Sequence, residues 1–179
     1  MNISVFCSSK FGLDQQYIEI ARALGHWIGD HGHALVYGGV DAGLMHVVAK
    51  SCHDSNGHVT GVVPRVFASL ADKVVDDLVV TDDLGQRKSH MYRVSDLFVV
   101  LPGGLGSIDE WISTLMQWVV DEREGVGIIV ANVDGVYDTV LRELRELAIS
   151  PFAAPRHLDA MAVATNTQEL IAHLERFAK

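Results

Sequence analysis

The chain has 179 residues, 49% of them hydrophobic and 21% charged. These proportions allow one domain over residues 1–179 a full core and argue against intrinsic disorder. Fourteen basic against 23 acidic residues leave a net charge of −9 with histidine neutral, which excludes the basic footprint that nucleic acid or an anionic membrane surface requires.

The elements follow one another as short apolar runs and longer amphipathic periods. Ile3 to Cys7 reads as a strand, followed by a polar loop with Ser8, Ser9, Lys10 and Gly12. Asp14 is placed to cap a helix whose face carries Ile18, Ala21, Leu24, Gly25 and Ile28. After His31-Gly32-His33, Ala34 to Tyr37 is a second strand, Gly43 to Asp54 a helix, and His58 to Val63 a third strand beyond the Asn56-Gly57 turn. Leu78 to Thr81 reads as a strand, Gln86 to Val94 as a short helix, and Leu97 to Leu101 as a strand buried on both faces. A long helix is expected from Ser107 to Glu122 and a buried strand from Val126 to Ala131. Tyr137, Val140, Leu141, Leu144 and Leu147 then form an amphipathic face, and a short strand, Met161 to Ala164, precedes a helix capped by Thr167. This alternation predicts an α/β fold, a doubly wound, Rossmann-like, mostly parallel sheet with helices on both faces.

Cys7 and Cys52 stand alone in apolar stretches and read as buried free thiols of a reducing compartment. The start of the chain lacks a basic segment before an apolar run, and no stretch approaches membrane-spanning length, so a cytoplasmic protein is expected. His31 and His33 are the only close pair among nine histidines, and a surface turn is the preferred reading over a metal site.

Three glycine turns follow strands: Ser8-Ser9-Lys10-Phe11-Gly12, Gly38-Gly39-Val40-Asp41-Ala42-Gly43 and Gly103-Gly104-Leu105-Gly106-Ser107. In a doubly wound sheet all three emerge at the carboxyl ends of strands, where ligands bind. One such turn is commonly just a tight strand–helix connection, but several on one edge point to a nucleotide-like ligand held by backbone N–H groups at a helix start. The third turn is the best phosphate cradle, because Ser107 adds a hydroxyl. Neither the dinucleotide fingerprint nor a Walker lysine is present. Asp109 and Glu110 follow within the first helical turn, where acidic side chains are favoured by the dipole but where two would repel an anion. One of them is therefore expected to face the reacting centre. Arg87, Lys88 and Arg93 form the nearest basic cluster on a short helix, whose bland alternative is a solvated face.

The stretch from Arg87-Lys88-Ser89-His90-Met91 to Pro102-Gly103-Gly104-Leu105-Gly106-Ser107-Ile108-Asp109-Glu110 resembles the paired R-K-x-x-M and P-G-G-x-G-T-x-x-E motifs of the LOG family, the cytokinin riboside 5′-monophosphate phosphoribohydrolases often labelled lysine decarboxylases. Val5 to Ser9, Leu35 to Gly39, Ala42 to Met45, Gly61 to Pro64 and Asn132 to Gly135 resemble family segments in the same order. The resemblance implies hydrolysis of a nucleoside 5′-monophosphate, AMP by default, to free base and ribose 5-phosphate. It also implies a homodimer and no metal or organic cofactor; Met91, Trp111 and Trp118 are candidate contributors to the dimer seam, with core packing the commoner role for such a stripe. Arg87 and Glu110 match the catalytic positions. Ser8, Gly38, Gly39, Gly43, Met45, Lys88, Arg93, Gly103, Gly104, Gly106, Ser107 and Asp109 are the expected substrate and phosphate contacts. No pyridoxal-binding lysine site is recognisable, and the alternative to an enzyme is a nucleotide sensor or carrier of the same fold. The chain departs from the family pattern at Val40 and His46, where glycine is usual, so the second glycine turn is expected to follow a different path. Further departures are the lack of a glutamate between Ala68 and Lys73, Leu84-Gly85 for Met-His, and Met116 for threonine. They leave the catalytic pair intact and fall where base recognition is expected.

Overall fold

In the computed structural model, which describes residues 1–124 and 127–178, seven strands form one sheet. They are β1 (Asn2–Phe6), β2 (Ala34–Tyr37), β3 (His58–Pro64), β4 (Asp77–Thr81), β5 (Leu97–Val100), β6 (Ile128–Ala131) and β7 (Met161–Ala164). The helices are α1 (Gln15–Asp30), α2 (Gly43–Asp54), α3 (Leu84–Val94), α4 (Leu105–Val120), α5 (Asp138–Ala148) and α6 (Thr167–Phe177). The sheet order is β4-β3-β2-β1-β5-β6-β7, and every pairing is parallel rather than mostly so. The chain winds outward from β1 to β4 and then returns to place β5 against β1. That reversal is the topological switch point, and it opens a crevice at the carboxyl ends of β1 and β5.

The two faces carry separate cores. Leu24 and Ile28 of α1, Leu44 and Val48 of α2 and Leu170 and Leu174 of α6 pack on one face. Met91, Trp111, Leu115, Trp118 and Leu141 pack on the other, under α3, α4 and α5. The sheet strands are buried from both sides, which is why Leu97-Phe98-Val99-Val100 reads as an unbroken apolar run. Trp111 and Met91 are fully enclosed, and Trp118 nearly so. These residues pack within the core of the single chain: the Trp111 ring meets Tyr137 edge-on, and the Arg123 guanidinium lies over Tyr92 and Trp118.

Several expected boundaries shift for local reasons. Asp83 caps α3 by accepting from the Gln86 N–H at 2.8 Å, so the helix starts at Leu84, two residues early, and Arg87 falls in its first turn. Gly104 occupies the cap position of α4, which starts at Leu105 and ends at Val120. Asn166, not Thr167, caps α6, through the Glu169 N–H. Asp14 stands at the cap position of α1 without a side-chain cap bond, and the Val126 end of the expected sixth strand lies outside the described residues. Tyr137 precedes α5 and sends its hydroxyl to the Leu101 carbonyl at 2.8 Å, while Leu147 is exposed.

Candidate active site

The crevice at the switch point holds a cavity of about 400 Å³, within the range of small-ligand sites. Its floor and walls come from the segments after β1, β2, β3 and β5 and from the first turns of α3 and α4. The last residues of β1 and the turn beyond β5 are tied together: Leu101 N–H donates to the Phe6 carbonyl at 2.9 Å and Ser8 N–H to the Pro102 carbonyl at 3.1 Å. The loop after β1 is braced by the Lys10 N–H, which donates to Ser8 Oγ at 3.1 Å.

Arg87 and Glu110 meet on the inner wall. Both are buried, and Arg87 Nη1 donates to Glu110 Oε1 in a short ion pair. Arg87 Nε donates to the Val62 carbonyl at 2.8 Å, so two arms of the guanidinium fork are fixed. The third, Nη2, lies against Gly38, where a Cβ would come within 2.6 Å of it and 2.9 Å of Met45 Cε. Gly38 is thus required by close approach. Burial pushes the Glu110 carboxyl above its ordinary range, and the Arg87 charge opposes that shift. The neighbouring Cys7 thiol, buried as expected, is likewise pushed up by burial, with the Glu110 charge a smaller contribution.

The same cavity is lined by Gly104, Gly106 and Ser107 at the start of α4. Gly104 supplies no side-chain cap, so the first-turn N–H groups face the crevice with the positive end of the helix dipole. A Cβ on Gly103 would overlap Ser107 Oγ and come within 2.7 Å of Ser107 Cβ, so the glycine is what lets that hydroxyl sit where it does.

Ser8, Gly38, Met45, Arg87 and Lys88 line the cavity as expected, together with Gly104, Gly106, Ser107, Asp109 and Glu110. The two acids that would repel an anion are both paired. Glu110 is held by Arg87, and Asp109 accepts from Lys88 Nζ at 2.8 Å at each oxygen. Lys88 also donates to Ser113 Oγ at 3.0 Å. Gly39, Gly43 and Gly103 do not line the cavity; Gly39 and Gly43 shape its wall through positive φ angles of 70° and 53°. Arg93 is a correction. Six residues after Arg87 on α3, it is exposed and opens on a separate recess between α3 and α4 with Gln117 and Asp121. Val40, free of positive φ, forms an antiparallel bridge with Ala71.

Sequence reasoning missed the mouth of the cavity. Phe67, Leu70, Leu84 and Leu105 line it while remaining partly or largely exposed, and Lys10 reaches it from the first loop. Phe67 and Leu70 sit on a six-residue 3-10 turn, Arg65–Leu70, too short to show a periodicity. Beside this turn, His46 at the start of α2 meets Asp72 and Asp41, at 2.9 and 3.1 Å from its Nδ1.

A family model described as "Possible lysine decarboxylase" matches residues 45–174. The chain is 32% identical over 178 residues to the cytokinin riboside 5′-monophosphate phosphoribohydrolase LOG7 of Arabidopsis thaliana, covering 98% of this chain and 81% of that protein. It is 33% identical over 180 residues to LOG3 of the same plant, covering 98% and 82%. The solved structure of the molybdenum cofactor binding protein of Rippkaea orientalis superposes with a TM-score of 0.77 at 18% identity, over 99% of this chain and 97% of that one. The molybdenum cofactor carrier protein of Chlamydomonas reinhardtii gives 0.74 at 22% identity, over 99% and 98%. The two structural likenesses bear on the fold alone.

Proposed function

The chain belongs to the family described as possible lysine decarboxylases, which includes the plant LOG phosphoribohydrolases, and on that premise we propose that it hydrolyses the N-glycosidic bond of nucleoside 5′-monophosphates. The observation that carries this reading is that the buried Arg87–Glu110 pair and the uncapped start of α4 line one cavity. The 5′-phosphate binds the N–H groups of Gly106 and Ser107 and the Ser107 hydroxyl, and this remote contact positions the sugar.

Cleavage builds positive charge at C1′ as the bond to the base breaks, and a carboxylate beside that carbon stabilises it. Water adds to C1′ and gives one proton to Glu110, the base leaves with the bonding pair and takes up one proton from solvent, and Glu110 returns its proton to solvent. The products are free base and ribose 5-phosphate. Arg87 holds Glu110 Oε1 and favours the ionised carboxylate against the cost of burial. Among the described residues Oε2 accepts no hydrogen bond, and it is the oxygen assigned to the water. The apolar mouth, Phe67, Leu70, Leu84 and Leu105, contacts the base and any apolar group it carries.

Incubation with AMP and with an N6-isoprenoid AMP, followed by chromatography, tests the reading. Free base and ribose 5-phosphate in equal amounts are expected from at least one of the two. Saturable binding of both without any release would assign the chain instead to nucleotide carriage.

A further inference from the structure

We propose that Asp41, His46 and Asp72 form a binding site for a first-row divalent cation of the Zn²⁺ class, beside the catalytic cavity and independent of the hydrolase reading. Asp41 Oδ1 and Asp72 Oδ2 lie 3.1 and 2.9 Å from His46 Nδ1, and one ligand atom from each residue falls within 4.8 Å of the others. With metal–ligand distances of about 2.0–2.2 Å, two ligands of one ion are about 2.8–3.6 Å apart for angles between 90° and the tetrahedral angle. Both histidine–carboxylate edges therefore match neighbouring corners of one coordination sphere.

The charge balance also calls for a cation. Two carboxylates converge on one imidazole nitrogen, which carries at most one proton. The Asp72 side chain is 1% exposed, and its only ion-pair partner among the described residues is His46. Its other oxygen, Oδ1, accepts from the Val74 N–H at 3.2 Å, which fixes the carboxylate's orientation. A second observation lies behind it. Tyr37, fully buried at the end of β2, brings its hydroxyl up to the Asp72 carboxylate, and no well-formed hydrogen bond closes on that oxygen. A buried polar atom without a partner is costly in an apolar interior.

One imidazole and two carboxylates suit Zn²⁺ or its first-row neighbours better than Mg²⁺ or Ca²⁺, which prefer oxygen alone. Binding uses the Nδ1 lone pair, so His46 binds as neutral imidazole with its proton on Nε2, and a protonated ring releases one proton. His46 is one of the departures from the family pattern, Asp41 lies in the second glycine turn, and Asp72 comes from the far side of the Arg65–Leu70 turn. The cation would clamp that turn, with Phe67 and Leu70, to the glycine turn. The existing ties between the two segments are the Asp41 N–H donating to the Leu70 carbonyl at 3.0 Å and the Asp72 N–H donating to the Gly39 carbonyl at 2.8 Å.

The test is calorimetric titration of chelator-treated full-length protein with zinc chloride, with Co²⁺ absorption as a second reading. One saturable site per chain is expected, with a visible Co²⁺ band and a melting temperature raised by Zn²⁺. His46→Ala should weaken binding by at least about tenfold and remove the band. Asp41→Asn, at a largely exposed ligand, provides a second variant that folds without a core change. It should weaken binding by a smaller factor, and a His31→Ala, His33→Ala variant should bind as the parent does. Absence of saturable binding would overturn the proposal. So would an affinity unchanged in His46→Ala, which would place the metal on another histidine, or equal competition by Mg²⁺, which would show that the imidazole takes no part in binding.

Discussion

Two ion pairs join α3 to α4 one residue apart, and they differ in burial. Arg87 and Glu110 have side chains 8% and 7% exposed, while Lys88 and Asp109, the next residue on α3 and the preceding one on α4, are 26% and 56% exposed. The inner pair is a tight contact in which Arg87 is also anchored to the Val62 carbonyl. The outer pair is a two-oxygen contact of an ammonium ion at the cavity rim. The same charge pairing therefore has two consequences. Inside, removal of one partner strands a charge without solvent; at the rim, water and salt replace the partner at little cost. The comparison assigns chemistry to the inner pair and tuning of the rim to the outer one.

Arg87→Ala attacks the comparison hardest. It leaves Glu110 buried without its cation and should destabilise the fold by about 3–5 kcal/mol, read by denaturant unfolding. A loss below about 1 kcal/mol would show that the inner pair is solvated like the outer one. Gly103→Ala should act at the start of α4. Its Cβ displaces the Ser107 hydroxyl, and loss of that one phosphate contact should raise KM by about tenfold with kcat less affected. Lys88→Ala and Asp109→Asn should each cost no more than about 1 kcal/mol, an effect that fades in high salt.

The pH dependence sharpens the contrast further. Burial raises the Glu110 pKa above its value in the unfolded chain. The corresponding stability is therefore present at low pH and lost as pH rises through the folded-state value. Activity runs the other way, because the reaction uses the carboxylate, so its acid limb should lie above the ordinary glutamate range. Asp54, Asp82 and Glu169 are shifted down by surface partners and contribute in the opposite sense. The stability difference between the parent and Glu110→Gln across pH isolates the single group, and a difference that stays flat would remove the buried-carboxylate argument.

The fold was legible because it depends on local patterns, and Arg87 and Glu110 stood out because they fall in the two motifs that resemble the family's. Leu97 to Val100 is apolar on every residue, and the glycine turns mark strand ends by their backbone needs. Two sites escaped because they depend on what touches across the fold. Phe67 and Leu70 meet the cavity from a turn without periodicity, and His46 meets Asp72 across 26 residues of sequence. Arg93 was misplaced because nearness in sequence is not nearness on a helix: from Arg87 to Arg93 the helix turns about 600°, at about 100° per residue, carrying Arg93 off the cavity face.

Glu110→Gln is the most direct test of the central assignment, since it keeps the side chain's size and a hydrogen-bond acceptor for Arg87 while removing the charge. With AMP, or whichever monophosphate the parent cleaves, kcat should fall by about 10²–10⁴-fold while the nucleotide's Kd, measured by calorimetry, stays within a few-fold. Turnover at the parent rate in a folded Glu110→Gln protein would contradict the assignment.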